Sequence, residues 1–366
     1  MSNLRSNQTN RILFAAGGTA GHIEPAWAVS EKWRKAHLGD ELAFLGTASG
    51  LEVDLIPNRG GTLFLIPKVT APRALNFISL LFPAKLFDSV LKTISIVKNY
   101  DLVVGFGGYV SASAYIAAAI LRKPIVIHEQ NAKVGIANKL GSKFAKEILV
   151  AYPNAAKDLP SAKVVGNPIK TEIINSAKAA ESNWQESRLK AKAALNVTGP
   201  LVLILGGSSG STYLNEVIKE ANVQSIFKDC TVIHSLGKSN PLPDINNQID
   251  IQSSYRPINY LDDMATALLA SDLVISRSGA IATTEFAALG KYALFIPLPI
   301  GNGEQALNAK ELVAAHKAEL LTQNEFTSTW LSQNLDRLLK QGDMAAYGTN
   351  LNAAELIVAS MERVLI

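Results

Sequence analysis

Hydrophobic residues in this chain come in short blocks that alternate with longer amphipathic stretches. Arg11–Ala16 (RILFAA) is an apolar run closed by GGTAGH, and helical spacing follows from Pro25 to about Ala36. Glu41–Leu45 is a second run, ending in Gly46-Thr47. Asp101–Gly105 is a third, followed by Phe106-Gly107-Gly108-Tyr109-Val110-Ser111 and an alanine-rich helix. Pro124–Ile127 then ends in His128-Glu129-Gln130-Asn131. At Leu201 the pattern restarts with LVLIL, the loop GGSSGS and a helix. Short runs at Val232–His234 and Ile249–Ile251 predict further strands, and Tyr260-Leu261-Asp262-Asp263-Met264 opens a helix. Leu273–Ile275, the polar turn Arg277-Ser278-Gly279, a helix over Ala280–Leu289, a strand over Ala293–Pro297 and a helix over Glu304–His316 complete the series. Short buried strands alternating with helices predict an α/β fold with parallel sheets.

The two halves repeat one another. ILFAAGGTAGH matches LVLILGGSSGS, and DLVVGFGGYVSASAYIAAAI…PIVIHEQN matches DLVISRSGAIATTEFAAL…ALFIPLPIGNGEQALN. The repeat is too long for a solenoid and predicts two doubly wound, Rossmann-like domains. Ala151–Thr171 has three prolines and little periodicity, as a linker has, with Lys163–Val165 as a short last strand. Glu172–Leu195 reads as helix in two pieces. The expected division is 1–168, 169–345, and an amphipathic C-terminal segment 346–366 (helix from about Asn352 to Val364) that packs back on the first domain.

A chain of 366 residues, 48% hydrophobic and 18% charged, has material for two cores and is globular. A formal charge of +4 suits an anionic ligand or an anionic membrane surface and is too weak to argue for nucleic acid. The single cysteine, Cys230, excludes an intramolecular disulfide and a cysteine metal cluster, and reads as a packing residue. MSNLRSNQTNR lacks the apolar core and cleavage site of a signal peptide. Leu102–Leu121 is uncharged and near spanning length, but Gly105, Gly107, Gly108, Ser111 and Ser113 interrupt it, so a strand, loop and helix explain it better than a transmembrane segment. The expected location is cytosolic, or at a membrane surface. Ala71–Lys92 is a very apolar stretch, with Phe77, Phe82, Leu86 and Phe87 beside Arg73, Lys85 and Lys92. It reads either as buried helix or as an apolar patch with a basic rim for acyl chains and anionic head groups.

In α/β units ligands sit beyond the carboxyl ends of the strands, where loops meet helix N-termini. Paired glycines there let backbone N–H groups approach a ligand. Gly17-Gly18-x-x-Gly21 is not Gly-x-Gly-x-x-Gly, and no acidic residue closes the second strand, which counts against NAD. The absence of Gly-Lys-Ser/Thr counts against a P-loop ATPase. Ser278, Gly279, Glu285, Glu304, Gln305 and Asn308 suit a ligand with phosphates and hydroxyls. No His, Asp and Glu cluster has metal-ligand spacing, and no cofactor is expected.

GGTAGHIEP, FGGYVS, HEQNAKVGIANK, VVGNPI, LGGSSGS, LDDMA, SRSGAIATTE and GNGEQALNA occur in one order across both halves. Together they resemble the MurG family of bacterial transferases, which add N-acetylglucosamine to the lipid-linked muramyl-peptide precursor of peptidoglycan. The resemblance implies a two-Rossmann-domain (GT-B) glycosyltransferase and one inverting displacement, in which the C4 hydroxyl of the muramyl sugar attacks C1 of UDP-N-acetylglucosamine. It also implies a role in cell-wall synthesis, and hence in cell shape and division, at the cytoplasmic face of the membrane. For the donor it implies Glu285 on the ribose, the backbone of Leu261 on the uracil, and Ser208, Ala280, Ile281, Ala282, Thr283 and Thr284 along the nucleotide. Gln305 would bind sugar hydroxyls, beside Glu304 and Asn308. Thr19, Ala20, Gly21, Asn131 and Lys170 would complete the donor cleft. Gly107, Gly108, Tyr109, Ser111 and His128 would line the acceptor side, and Phe77, Phe82, Lys85, Leu86 and Phe87 would contact the membrane. His22 is the expected base, because a neutral imidazole accepts a proton near pH 7, with Glu129 as second candidate.

Three positions depart from the family. Ala20 stands where glycine is usual and tolerates positive φ poorly. Lys170 stands for arginine and loses the planar fork. Glu304 replaces a common glutamine or histidine. Two other functions fit the same architecture: a UDP-N-acetylglucosamine 2-epimerase, and a UDP-sugar-binding protein without catalysis.

Overall fold

The computed structural model describes residues 9–69, 82–238, 240–242, 255–299, 303–341 and 350–366. Its backbone divides into two compact units, Met1–Lys170 with Asn350–Ile366, and Thr171–Thr349.

The first unit runs β1 (Arg11–Ala15), α1 (Ala20–Ala36), β2 (Glu41–Gly46), α2 (Glu52–Asn58), β3 (Thr62–Leu65), α3 (Phe82–Val97), β4 (Leu102–Gly105), α4 (Gly108–Ile120), β5 (Ile125–Glu129), α5 (Ile136–Gly141), β6 (Glu147–Val150), α6 (Pro153–Asp158) and β7 (Lys163–Val164). Its seven strands are parallel, in the order β3-β2-β1-β4-β5-β6-β7. The strand order reverses between β1 and β4, so the loops after these two strands open a crevice at the sheet's carboxyl edge. Both faces of the central strands are covered, which is why β1 and β4 read as unbroken apolar runs. Phe14, Phe44 and Trp27 stack at 5.3 and 5.5 Å in the core, each burial being worth about 1.5–3 kcal/mol.

The second unit runs α7 (Thr171–Ser182), α8 (Trp184–Ala194), β8 (Leu201–Leu205), α9 (Thr212–Val223), β9 (Thr231–Ser235), β10 (Tyr255–Ile258), α10 (Met264–Ala270), β11 (Leu273–Ser276), α11 (Ala280–Ala288), β12 (Ala293–Phe295), α12 (Glu304–Ala314), β13 (Ala318–Leu320) and α13 (Ser328–Leu339). Its six parallel strands take the order β10-β9-β8-β11-β12-β13, with the reversal between β8 and β11. Asn183 separates α7 from α8 by accepting the Glu186 N–H at 3.2 Å, an N-cap that explains the two pieces.

The sequence repeat is also a repeat of hydrogen bonds. Asp101 accepts the Arg11 N–H at 2.9 Å in one unit, and Asp272 accepts the Leu201 N–H at 2.7 Å in the other. Each aspartate fixes the register of the two strands that flank the switch point.

Some elements depart from expectation. The proline-bearing stretch 151–171 is largely structured: Pro153 starts α6, and β7 pairs with β6 at the sheet edge. Ile249–Ile251 lies outside the described residues, and the strand beside β9 is Tyr255–Ile258. Leu102–Leu121 is β4, a glycine turn and α4. Among the described residues, no helix is long and apolar enough to cross a membrane. The last helix, α14 (Ala353–Leu365), buries Ile357, Val358 and Met361 in the core of the first unit. Lys32–Glu355 and His37–Glu362 pairs at 2.6 and 2.7 Å flank it; being partly exposed, they contribute less than the apolar contacts.

Candidate active site

In the first unit, the turn between β1 and α1 meets the turn between β4 and α4. Gly107 and Gly108 have φ of +84° and +80°, a conformation that glycine adopts without strain. They let the His22 ring pack close to the backbone: a Cβ at Gly107 would stand 3.6 Å from His22 Nε2, and one at Gly108 3.6 Å from Nδ1. Thr19, the N-cap of α1, brings its hydroxyl to 2.9 Å from His22 Nδ1. Close packing strips water from the imidazole and lowers its pKa to about 4, against a nearby carboxylate, Glu52, that pulls upward. His22 is therefore neutral at pH 7, and the residue as a whole is half-buried. Tyr109, 39% exposed, stands at the rim with Lys68 over its ring at 5.6 Å.

Ala20 does not raise the difficulty expected of it. It is the first residue of α1 and is not among the residues with positive φ, so its methyl group costs no backbone strain. Gly21 follows it in the first turn of α1, and Lys170 is half-buried at the end of the unit.

Several expected site residues face inward. Ser111 is buried and donates to the carbonyls of Ala15 at 2.9 Å and Gly107 at 2.7 Å, tying the two turns together. His128 is fully buried, its Nε2–H directed at the Gly166 carbonyl at 2.9 Å, and burial lowers its pKa to about 4. Glu129 is 1% exposed, and both its oxygens accept. Asn131 N–H donates at 2.9 Å, Asn131 Nδ2 at 3.3 Å, Gly135 N–H at 2.9 Å and Asn138 Nδ2 at 3.0 Å. Burial pushes this carboxyl up, and those four donors work against the shift. In this arrangement Glu129 folds the loop that carries Asn131.

Sequence patterns did not single out Asn138 and Tyr115. Buried Asn138 also donates to the His128 carbonyl at 3.2 Å and accepts from Tyr115 Oη at 2.7 Å, and it backs Gly107. Glu52 was missed as well. No acidic residue closes β2, but Glu52, at the start of α2, turns inward. It accepts from Gly18 N–H at 2.9 Å, Thr47 N–H at 2.7 Å and Thr47 Oγ1 at 3.1 Å.

In the second unit, the turns after β8, β11 and β12 gather at the sheet's carboxyl edge. Arg277 unites them from below. Its Nη1 donates to the carbonyls of Ile296 at 2.9 Å and Pro297 at 3.1 Å, and its Nη2 to Ser211 Oγ at 2.8 Å and Gln323 Oε1 at 2.7 Å. It is 8% exposed, and burial lowers its pKa. Gly279, the N-cap of α11, has no side chain to cap the first-turn amides, so Ile281 and Ala282 lie where a helix start attracts anions. Thr283 and Thr284 turn their hydroxyls back to backbone, both reaching the Ala280 carbonyl, at 2.9 and 2.8 Å. Glu285 follows on α11, 7% exposed. Ser208 is half-buried in the loop after β8, which is braced by Asn240 donating to the Ser209 carbonyl at 3.2 Å. Leu261 is half-buried beside Asp263, which caps α10 through Thr266 N–H at 3.0 Å.

Gln305 Oε1 accepts Leu298 N–H at 3.0 Å, which leaves the amide NH₂ as the group available to a ligand. Asn308 is 1% exposed and donates to the Ser278 carbonyl at 3.3 Å, so it ties α12 to the loop after β11. Glu304 is half-buried at the start of α12.

Residues 12–150 match the glycosyltransferase family 28 N-terminal domain, and residues 201–361 match the family's C-terminal domain. A Corynebacterium diphtheriae protein named UDP-N-acetylglucosamine–N-acetylmuramyl-(pentapeptide) pyrophosphoryl-undecaprenol N-acetylglucosamine transferase is 39% identical over 351 residues, covering 95% of this chain and 92% of that one. A Streptomyces coelicolor protein of the same name is 37% identical over 356 residues, 95% of this chain and 96% of its own. Among solved structures, Acinetobacter baumannii MurG superposes with a TM-score of 0.71 at 26% identity, over 97% of this chain and 100% of that one. The UDP-GlcNAc 2-epimerase of Neisseria meningitidis bound to UDP-GlcNAc reaches 0.64 at 14% identity, over 96% and 100%, and shares the fold alone.

Proposed function

The chain belongs to glycosyltransferase family 28, and on that premise we propose that it moves N-acetylglucosamine from UDP-N-acetylglucosamine to undecaprenyl-diphospho-N-acetylmuramyl-pentapeptide. The observation that carries this is the likeness, nearly end to end, to transferases named for that substrate pair. The acceptor's C4 oxygen attacks C1 of the donor sugar, the bond from C1 to the diphosphate breaks, and UDP leaves with its electron pair and inversion at C1.

The attacking hydroxyl must lose a proton. A neutral His22 supplies the acceptor when Nδ1–H donates to Thr19 Oγ1, an arrangement compatible with the 2.9 Å contact, and the Nε2 lone pair faces the attacking hydroxyl. Its low proton affinity keeps it ready, and an arriving anionic diphosphate raises its basicity during reaction. Glu129 is the weaker candidate, since four donors already engage its oxygens; we assign it to shaping the Asn131 loop.

On the donor side, Glu285 accepts from the ribose hydroxyls and the Leu261 backbone faces the uracil. Ser208 and the first turn of α11 stabilise the diphosphate. Gln305 donates its NH₂ to a sugar oxygen. Tyr109 and the Gly107-Gly108 turn receive the acceptor.

Attachment to an anionic membrane surface belongs to the same proposal. It rests on α3, where Phe87 and Leu91 are 66% and 50% exposed one turn apart, with Lys85 and Lys92 exposed beside them. Phe77 lies outside the described residues; Phe82 and Leu86 are half-buried.

Incubation with UDP-N-acetylglucosamine and a short-chain lipid-linked muramyl-peptide tests the proposal. Sugar transfer is expected. Free epimerised sugar points to the epimerase chemistry of the same fold, and binding without turnover to a non-catalytic protein; either result overturns it.

A further inference from the structure

We infer that Glu52 is a positioning residue for the transfer, holding the Gly17–Thr19 turn from below and thereby the His22 ring on the Gly107-Gly108 backbone. The inference rests on the proposed role of His22 as base. Glu52 is wholly buried, and no cation pairs with it among the described residues. An unpaired buried carboxylate is expensive, so its retention calls for a reason. Its bonds supply one. One oxygen takes both donors of Thr47, at 2.7 and 3.1 Å, and the other takes the Gly18 N–H at 2.9 Å. Gly18 has φ of +93° and precedes Thr19, so the bond to Glu52 fixes the residue from which Thr19 reaches His22 Nδ1.

The surrounding backbone is shaped to this carboxylate. A Cβ at Gly46 or Gly50 would overlap the Glu52 side chain, and one at Gly17 would approach Oε1 to 2.8 Å. Three glycines thus leave room for one acid beneath the His22 turn. The negative charge also favours a protonated imidazole, so it strengthens His22 as a base during the transfer. The other groups near the ring are Thr19 from its own turn, Tyr109 at the start of α4 with Lys68 beyond it, and Glu129 behind Gly107 through Asn138.

Glu52→Gln removes the charge and sets an NH₂ group against an N–H donor. The expected result is a folded enzyme with kcat lowered about ten-fold or more, donor KM within about two-fold, and the acid limb of kcat/KM moved to lower pH. A purely structural role would lower kcat without moving that limb. Wild-type kcat, or a lowered kcat with the limb in place, overturns the inference. If Glu52→Gln does not fold, Glu52→Asp decides: it keeps the charge but falls short of Gly18. A lowered kcat with the limb moved part of the way to lower pH, the charge being drawn back from the His22 turn, supports the inference; wild-type kcat, or a lowered kcat with the limb in place, overturns it. His22→Ala, measured in parallel, separates the two claims. An active His22→Ala enzyme removes the base itself. An inactive one beside an unaffected Glu52→Gln removes only the positioning role.

Discussion

Thr19 holds the N-cap position of α1, yet its hydroxyl bonds no backbone amide and meets His22 Nδ1 at 2.9 Å instead. A capping threonine normally stabilises its helix by about 1 kcal/mol. Here the side chain is used on the imidazole, and in the proposed mechanism it accepts from Nδ1–H and leaves Nε2 as the proton acceptor. Thr19→Val, which keeps the shape and removes the acceptor, should therefore lower kcat about ten-fold or more while stability stays within about 0.5 kcal/mol. Kinetics and a thermal melt of the same preparation check this. A valine enzyme with wild-type kcat would remove the tautomer assignment.

Stability should fall on mild acidification, in both units. Burial lowers His128 to about 4 in the first unit and His234 to about 4 in the second. In the unfolded chain both return to an ordinary pKa of about 6.5. Between these values the unfolded state binds protons that the folded state excludes. The stability is therefore complete above about pH 6.5 and is lost as pH falls toward 4. The loss is of order 3 kcal/mol per histidine as an upper bound. Urea midpoints measured at pH 7.5 and 4.5 should differ clearly, with a smaller difference in His128→Gln. Midpoints independent of pH across that window would contradict the burial of both rings.

Arg277 joins three loops and Gln323 through four hydrogen bonds, and a lysine cannot reproduce the fork. Arg277→Lys should destabilise the second unit by about 3 kcal/mol and weaken UDP binding, because Ser211 and the Ile296–Pro297 carbonyls lose their common partner. Calorimetry with and without UDP measures both effects. A variant that binds UDP like the wild type would show that the loops hold their shape without Arg277.

The fold was legible because doubly covered parallel strands must be almost continuously apolar, and the glycine turns punctuate them. The aspartates that precede β4 and β11 made the repeat visible, although their bonds to Arg11 and Leu201 were not. The site was legible as loops and less so as side-chain directions. Every residue of β5 is buried, so alternation gave no cue that His128 turns to Gly166. Ser111 and Asn308 stand in sequence as polar residues at the loops, and in the structure each hydrogen-bonds backbone. Glu52 and Arg277 escaped because their partners, Gly18 and Ser211, are 34 and 66 positions away. No local pattern encodes such pairings.

The membrane proposal makes its own demand on α3. Phe87 and Leu91 lie four residues apart on one exposed stripe, whereas Ser89, Val90 and Thr93 face the protein. The Asp88–Lys92 pair at 3.2 Å is exposed and leaves the lysine available to an anionic head group at little cost. Phe87→Glu combined with Leu91→Glu should therefore abolish most binding to vesicles containing anionic lipid, since two apolar side chains are lost and two negative charges added. Folding and turnover of a water-soluble acceptor analogue should be preserved, because neither side chain belongs to the core or to the His22 turn. Sedimentation with vesicles at low and high salt reads both contributions, the basic rim being screened by salt and the apolar stripe not. Undiminished sedimentation of the double variant would rule out this stripe as the point of attachment.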